Sequence, residues 1–298
     1  MTMTIAPGPN SIKVSPSARA RYSAAPSSWI AELELWFARS AGKTRLVRRR
    51  HLGPLMVQKP FHPLGDDSCH VYLLHPPGGV AGGDQIDLRF HVESGARALL
   101  TTPGATKFYR SDHGACFQRA TVDVGAGAVC EYFPQESIIF DGADAVIDTN
   151  VSLEAGATYV GWDFTCLGRP AAKERFETGN LVQRVKITRE GRPVWFERLH
   201  LPGGARLADA PYALAGKTTW GTMVHIGPTA EDAAERVRKA IGGLGRDTFS
   251  VSQIEDGVVC RYLGAGAAEG KALFVRAWDA LRISCQGKAA CVPRIWAT

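Results

Sequence analysis

The sequence predicts a mainly β protein: many short strands in stacked sheets, with two or so helices towards the C-terminus. Three observations carry this reading. From residue 86 to about 166 the chain repeats a strand, a Gly-Ala corner and a second strand, with corners at Gly95-Ala96, Gly127-Ala128 and Gly156-Ala157. Units of that length bury their apolar faces only by stacking on one another. Strands within the repeat alternate strictly: Ile86, Leu88, Phe90 and Val92 are interleaved with Asp87, Arg89, His91 and Glu93, the period of a half-buried strand. Helical spacing of apolar residues emerges only after residue 229. A sandwich of regular hairpins is the competing architecture.

The chain has 298 residues, 45% hydrophobic and 21% charged, enough for a sizeable core in one or two domains. No apolar run approaches the roughly 18 residues that span a bilayer. Residues 1–28 lack Asp and Glu, and only Lys13, Arg19 and Arg21 are charged. No amphipathic pattern accompanies them, so a flexible tail is expected rather than a transit peptide, with one domain over residues 29–298. The formal net charge is +6, and Arg45, Arg48, Arg49, Arg50 and His51 form a basic run. Such a run suits an acidic partner or nucleic acid, or simply an exposed strand edge. No nucleic-acid module accompanies it. The seven cysteines are odd in number and include no CxxC pair, which argues against a zinc ribbon or disulfide framework. Cys130, Cys166 and Cys260 lie in apolar strand text and read as small core residues. A reducing cytoplasm fits this usage.

In chain order, Ala31 to Ala38 reads as a first strand. Gly42-Lys43-Thr44 resembles the close of a phosphate loop, but Phe37 stands where that loop needs its first glycine. Gly42 is therefore a turn between strands. Leu52 to Leu64 carries Pro54, Pro60 and Pro63 and reads as interrupted, extended chain. Ser68 to Leu74 is a strand leading into His75-Pro76-Pro77-Gly78-Gly79-Val80-Ala81-Gly82-Gly83-Asp84, whose prolines and glycines make a shaped loop. After the repeats, Ala171 to Glu177 is a helical turn or loop, and Leu181 to Thr188 and Val194 to Leu201 are strands joined by a turn at Glu190-Gly191. A helix is expected from Thr229, with Asp232 completing a capping box and Ala233, Ala234, Val237, Ala240, Ile241 and Leu244 on its apolar face. Gly242-Gly243 ends it. A strand near Val258 to Leu263 precedes a helix from about Ala268 to Cys285, with Phe274, Trp278, Leu281 and Cys285 on one core-facing stripe and Gly287 as its stop.

The loops between the stacked strands are polar. If they align on one side, they gather Lys107, Glu136, Asp141, Asp163 and Arg169 into a docking surface or path. Enzyme signatures are missing: no HExxH, no Gly-x-Ser-x-Gly and no closed ligand cluster among eight histidines. Cys69, His70 and His75 form one trio able to bind a borderline metal transiently. The paired carboxylates Asp66-Asp67 and Glu136 with Asp141 are not shown by sequence to face each other.

Five ordered motifs share a resemblance. They are His75-Pro76-Pro77-Gly78-Gly79 with Gly83-Asp84; Thr101-Thr102-Pro103-Gly104-Ala105-Thr106-Lys107-Phe108-Tyr109-Arg110; Pro134-Gln135-Glu136 with Phe140-Asp141-Gly142-Ala143; Gly161-Trp162-Asp163; and Gly168-Arg169-Pro170 leading to Arg175-Phe176. Together they resemble the urease accessory protein family UreD, called UreH in some organisms, over residues from about 36 to 285. Tyr132 or Phe133 replaces a tryptophan common in that family's middle motif, an aromatic exchange.

The resemblance implies a non-enzymatic, β-helix-like scaffold in the cytoplasm. It implies binding to UreF, through UreF to the GTPase UreG, and to apo-urease, within a dimer of heteromers. It also implies that nickel passes through in transit, with no permanent cofactor. On motif position, Asp84, Glu136, Asp141, Asp163, Glu174 and His75 are the expected transient nickel path, and Arg169, Arg175 and Lys107 the expected partner contacts. Scattered oxygen donors suit a conduit, since a closed His/Cys cluster would trap the metal. Two alternatives remain: a β-solenoid carbohydrate-active enzyme, which needs a carboxylate pair about 5–10 Å apart in an open groove, and a nucleic-acid module on Arg45 to His51, whose retention would depend on salt.

Overall fold

The computed structural model describes residues 28–63 and 68–297. The expected tail, Ser28 apart, and the Asp66-Asp67 pair lie outside the described residues.

The chain opens with an antiparallel hairpin of β1 (Ile30–Ser40) and β2 (Lys43–Leu52). Ala41 and Gly42 hold φ of 49° and 80°, the left-handed pair of a tight hairpin turn. Gly42-Lys43-Thr44 therefore turns the chain from β1 into β2. Next come β3 (Met56–Val57), β4 (Ser68–Leu74) and β5 (Gly79–Val80). The proline- and glycine-rich loop thus contains a two-residue strand that its composition does not announce. It exists because Gly79 and Val80 pair with the distant residues Lys107 and Phe108.

Stacked coils follow. The first is β6 (Gln85–Val92), β7 (Arg97–Thr101) and β8 (Thr106–Phe108). The second is β9 (Cys116–Val124), β10 (Val129–Phe133) and β11 (Ser137–Ile139). The third is β12 (Asp144–Leu153) and β13 (Thr158–Leu167), whose length serves two faces. Each strand lies parallel on its counterpart one coil away. Val92, Val124 and Leu153 align on one face, Arg97, Val129 and Thr158 on the next, and Lys107, Ile138 and Cys166 on the third. This is the β-solenoid-like stacking that the thirty-residue period predicts.

The Gly-Ala corners have a physical cause. Gly95, Gly127 and Gly156 take φ of 69°, 63° and 67°, which glycine adopts without a Cβ penalty. Ala96, Ala128 and Ala157 beside them are fully buried, with methyls turned into the core. The corner amides bond to the next coil, Gly95 to the Ala126 carbonyl at 3.0 Å and Gly127 to that of Ala155 at 3.1 Å.

Antiparallel strands close the body. β14 (Asn180–Arg189) lies parallel on β12 and turns at Glu190-Gly191 into β15 (Arg192–Pro202). β16 (Thr219–Ile226) pairs with β13, and β18 (Gly257–Gly264) lies between β16 and β17 (Phe249–Ile254). A seven-stranded sheet, in the order β15-β14-β12-β9-β6-β1-β2, thus faces an eleven-stranded one with the main path β17-β18-β16-β13-β10-β7-β4-β3. Leu35, Phe90 and Val122 of the first meet Val71, Leu100 and Cys130 of the second between them. A second apolar layer (Phe133, Trp162, Phe164) lies against α1 (Ala233–Ile241) and α2 (Ala267–Gln286) on the outer face of the larger sheet.

Some expectations shift. β16 and β17 do not stand out in the sequence. The first helix starts at Ala233 rather than Thr229: Asp232 occupies the cap position, but its carboxylate takes the Arg236 guanidinium at 2.9 Å instead of a backbone amide. Ala233, Ala234, Val237 and Ile241 are buried as expected, while Ala240 and Leu244 are exposed. Cys130 and Cys260 are core residues, but Cys166 is only half-buried.

Candidate functional site

The polar loops divide between two vertices of the solenoid instead of forming one row. At the first vertex Thr102, Pro134 and Trp162 meet. The Thr102 hydroxyl accepts from the Gln135 amide at 2.8 Å, and the Trp162 indole donates to the Pro134 carbonyl at 2.9 Å. Here Glu136 pairs with Lys271 of α2 at 2.8 Å, and the same ammonium donates to the Gln135 side chain at 2.7 Å. Lys107, on the neighbouring β8, is exposed.

At the second vertex Asp141 closes a clasp. One carboxylate oxygen accepts from the amides of Glu177 and Thr178 (2.9 and 2.8 Å) and from the Thr178 hydroxyl (3.1 Å); the other takes Arg110 at 3.2 Å. The Thr178 amide is the main reason its carboxyl sits below the ordinary range, opposed by partial burial. The Asp141 amide donates to Glu174 at 3.3 Å, and Glu174 is ion-paired with Arg169, whose guanidinium lies 4.4 Å over the Phe140 ring. Arg175 pairs with Glu177 at 2.9 Å and Asp209 at 3.2 Å. Asp141, Glu174 and Arg169 are therefore brought together, with their polar atoms engaged in holding residues 168–178.

His75 and Asp84 share a third place, a slot of about 280 Å³ with Trp29, Pro77 and Tyr109 in its wall. Asp84 staples the loop, accepting from the Trp29 amide at 3.0 Å and the Ala81 amide at 2.9 Å. Burial lowers the His75 pKa, and the Asp84 charge opposes that shift. Gly79 is needed here because a Cβ would overlap the Tyr109 ring. The trio of Cys69, His70 and His75 does not assemble. Cys69 is fully buried, its thiol pushed up to about 11 by desolvation, and His70 packs on Phe61. Among the described residues no group of three His, Cys, Asp or Glu side chains is poised around a metal.

Asp163 stands apart from these loops and points between the two sheets. It lines a cavity of about 40 Å³ with Gln183, Glu197 and Thr222, and an adjoining one of about 30 Å³ shares those four residues. Such volumes hold a few waters. Glu197 accepts from the Thr222 hydroxyl at 3.4 Å and lies 3.9 Å from Arg261. Its other carboxylate oxygen is buried with no hydrogen-bond partner among the described residues. Burial raises the Glu197 pKa, with Arg261 opposing. Asp163 is raised to about 7, first by burial and then by the Glu197 charge, against hydrogen bonds from Thr222 and Gln183. Glu197 and Thr222 also line a surface groove of about 470 Å³. The interior space therefore adjoins the outside through Glu197 and Thr222.

The UreD urease accessory protein family model matches residues 30–297. The chain belongs to the UreD urease accessory protein family. A Brucella anthropi relative named urease accessory protein UreD 2 is 53% identical over 272 residues, covering 91% of this chain and 99% of that protein. Urease accessory protein UreD of Dechloromonas aromatica is 42% identical over 275 residues, covering 91% and 95%. Its namesake in Nitrosococcus oceani is 40% identical over 275 residues, covering 92% of each.

In this UreD-family chain the sequence motifs mark the vertices, while the polar interior draws on strands outside them. Gln183, Glu197 and Thr222 carry no motif. The one local signal is a carboxylate at Glu197 between Trp195 and Leu199, on alternate positions of a strand whose partly buried members pack on the core.

Proposed function

We propose that this chain is a non-catalytic urease maturation factor in the cytoplasm. It binds UreF, through UreF the GTPase UreG, and apo-urease, and it hands nickel on as cargo within a dimer of heteromers. Family membership supports the role in urease maturation. The observation that carries the nickel reading is the carboxyl pair, Asp163 and the half-buried Glu197, in a water-sized space beside Gln183 and Thr222.

The chemistry suits passage. Two carboxyls and a hydroxyl are oxygen donors, which hold a borderline divalent ion less firmly than thiolates and imidazoles do; Gln183, whose oxygen accepts from the Thr165 hydroxyl at 3.2 Å, turns its NH2 to Asp163. A carboxyl that titrates near 7 exchanges a proton for a cation at neutral pH. A few waters keep the ion partly hydrated. The space is too small for a sugar ring, so this carboxyl pair does not support a carbohydrate-active enzyme.

Of the six residues expected on the path, we assign Asp163 to it. Asp84, Glu136, Asp141 and Glu174, whose oxygens are engaged locally, hold the loops that partners contact, and His75 lines the slot beside one of them. Arg169 and Arg175 on the second vertex, and Lys107 on β8 between the two vertices, supply partner contacts.

The test is expression of apo-urease with its other accessory proteins, with this chain, without it, or with Asp163→Asn/Glu197→Gln. Nickel content, urea hydrolysis and co-purification of the complex are measured. Nickel-poor urease without the chain, and with the double variant despite intact assembly, is the expected result. Full nickel content without the chain overturns the maturation role. Full content with the double variant removes the passage from this cavity.

A further inference from the structure

The passage and the vertices leave the basic run unused. β2 ends the seven-stranded sheet, so among the described residues no strand pairs with its outer edge. The Thr44 carbonyl near its start is covered, accepting from His62 at 2.7 Å. Beyond Leu46 every residue from Val47 to His51 is exposed, and Leu52 is 56% exposed. Arg48 lies 4.4 Å over the Trp36 ring, and Arg50 pairs with Glu34 at 2.9 Å. Among the described residues no side chain forms an ion pair or hydrogen bond with the side chain of Arg49 or His51.

The strand runs directly into an apolar surface. Leu52 pairs with Glu32, and Gly53 packs on the Ile30 carbonyl. Trp29 and Ile30 are 58% and 46% exposed, and Met56, paired with Leu74 beside His75, is 44% exposed. Pro54 reaches the 280 Å³ slot with Trp29, His75, Pro77 and Tyr109. Large apolar residues gathered on a surface mark a contact site. An exposed strand edge accepts a further strand, with backbone bonds giving affinity and pockets giving specificity.

We propose that Val47–Leu52 and the adjoining slot form the docking surface for an extended acidic segment of a partner protein. The segment adds a strand to β2, meets Arg49 and its neighbours with carboxylates, and seats one apolar side chain in the slot. Charge complementarity selects acidic residues, because four of the five residues from Arg48 to Leu52 are basic or histidine. A protein segment is favoured over nucleic acid because phosphates match the arginines yet leave Ile30, Leu52 and Met56 uncovered. Arginines placed only to block edge-to-edge aggregation need no apolar slot beside them.

The test uses the full chain and a fluorescein-labelled peptide alternating leucine or valine with glutamate. Its controls are the same peptide with glutamine for glutamate and a single-stranded DNA 20-mer. Saturable binding of the acidic peptide by anisotropy is expected, weakened about tenfold by the glutamine exchange and by Arg49→Glu, and several-fold by Leu52→Ser. Circular dichroism melts verify that both variants fold. Lack of saturable binding, binding that both variants leave unchanged, or tighter binding of the DNA than of the peptide overturns the proposal.

Discussion

Asp163 and Glu197 belong to different sheets and share one interior cavity. Asp163 lies on β13 of the eleven-stranded sheet and Glu197 on β15 of the seven-stranded one. Elsewhere the space between the sheets is filled by Leu, Val, Ile and Phe. At this seam it is polar, and the charge of one carboxyl raises the pKa of the other.

Burial of Asp163, reinforced by that charge, sets a pH dependence of stability. Below the ordinary value of 3.8 Asp163 is protonated in both folded and unfolded chains. As pH rises to about 7, the unfolded chain ionises first and the folded state loses stability, by at most roughly 4 kcal/mol. Above that range the loss is complete and constant. Asp163→Asn removes this slope. Urea unfolding at pH 5 and pH 8 should show wild type weakening across the interval more than the variant; parallel behaviour contradicts the assignment.

The Asp141 clasp behaves in the opposite sense. Its carboxyl is held low, so its stabilisation is present above the ordinary carboxylate value and is lost as pH falls through the depressed one. Asp141→Ala should cost about 2 kcal/mol and release residues 168–178. Faster limited proteolysis within that segment is the measurement.

Glu136 links the first vertex to α2 through Lys271. Glu136→Ala should cost about 1 kcal/mol, the scale of a half-exposed ion pair. It should also weaken co-purification of the accessory complex, because Glu136 holds a loop assigned to partner contact. Unchanged co-purification would confine Glu136 to anchoring the helix.

Beneath α2, Glu131 accepts from the Trp278 indole at 2.7 Å and lies 3.3 Å from Arg282, with both charged residues almost wholly buried. Glu131→Ala leaves the guanidinium uncompensated in the core and should cost about 3–5 kcal/mol. A shift of the urea midpoint reads this directly.

Two glycines separate backbone strain from crowding. A Cβ at Gly127 meets open space, but φ is 63°, so Gly127→Ala should cost about 1 kcal/mol. Gly79→Ala drives a methyl into the Tyr109 ring and should lower the melting temperature further. Equal losses would show that the loop at Gly79 yields freely.

Much of the architecture is legible in the residues themselves. The Gly-Ala corners, the hairpin turn at Gly42, the bounds of Ser68–Leu74 and the buried face of the last helix follow from turn geometry and side-chain period, which act over a few residues. β16 and β17 escape that reading because they are strands by virtue of pairing on β13 and β18. The start of α1 moves to Ala233 because Asp232 binds Arg236 instead of capping.

Family membership and the stacked β body were thus determined by the sequence alone, through ordered motifs and a repeat period. The tertiary structure decided where those motifs lie and what they bond. It split the expected row of charges between two vertices, engaged Asp141 and Glu174 in a clasp, and set Asp163 opposite a glutamate that no motif marks. The reason is physical: strands and turns are specified locally, whereas the side chains that share a cavity depend on which strands of opposing sheets meet across the core.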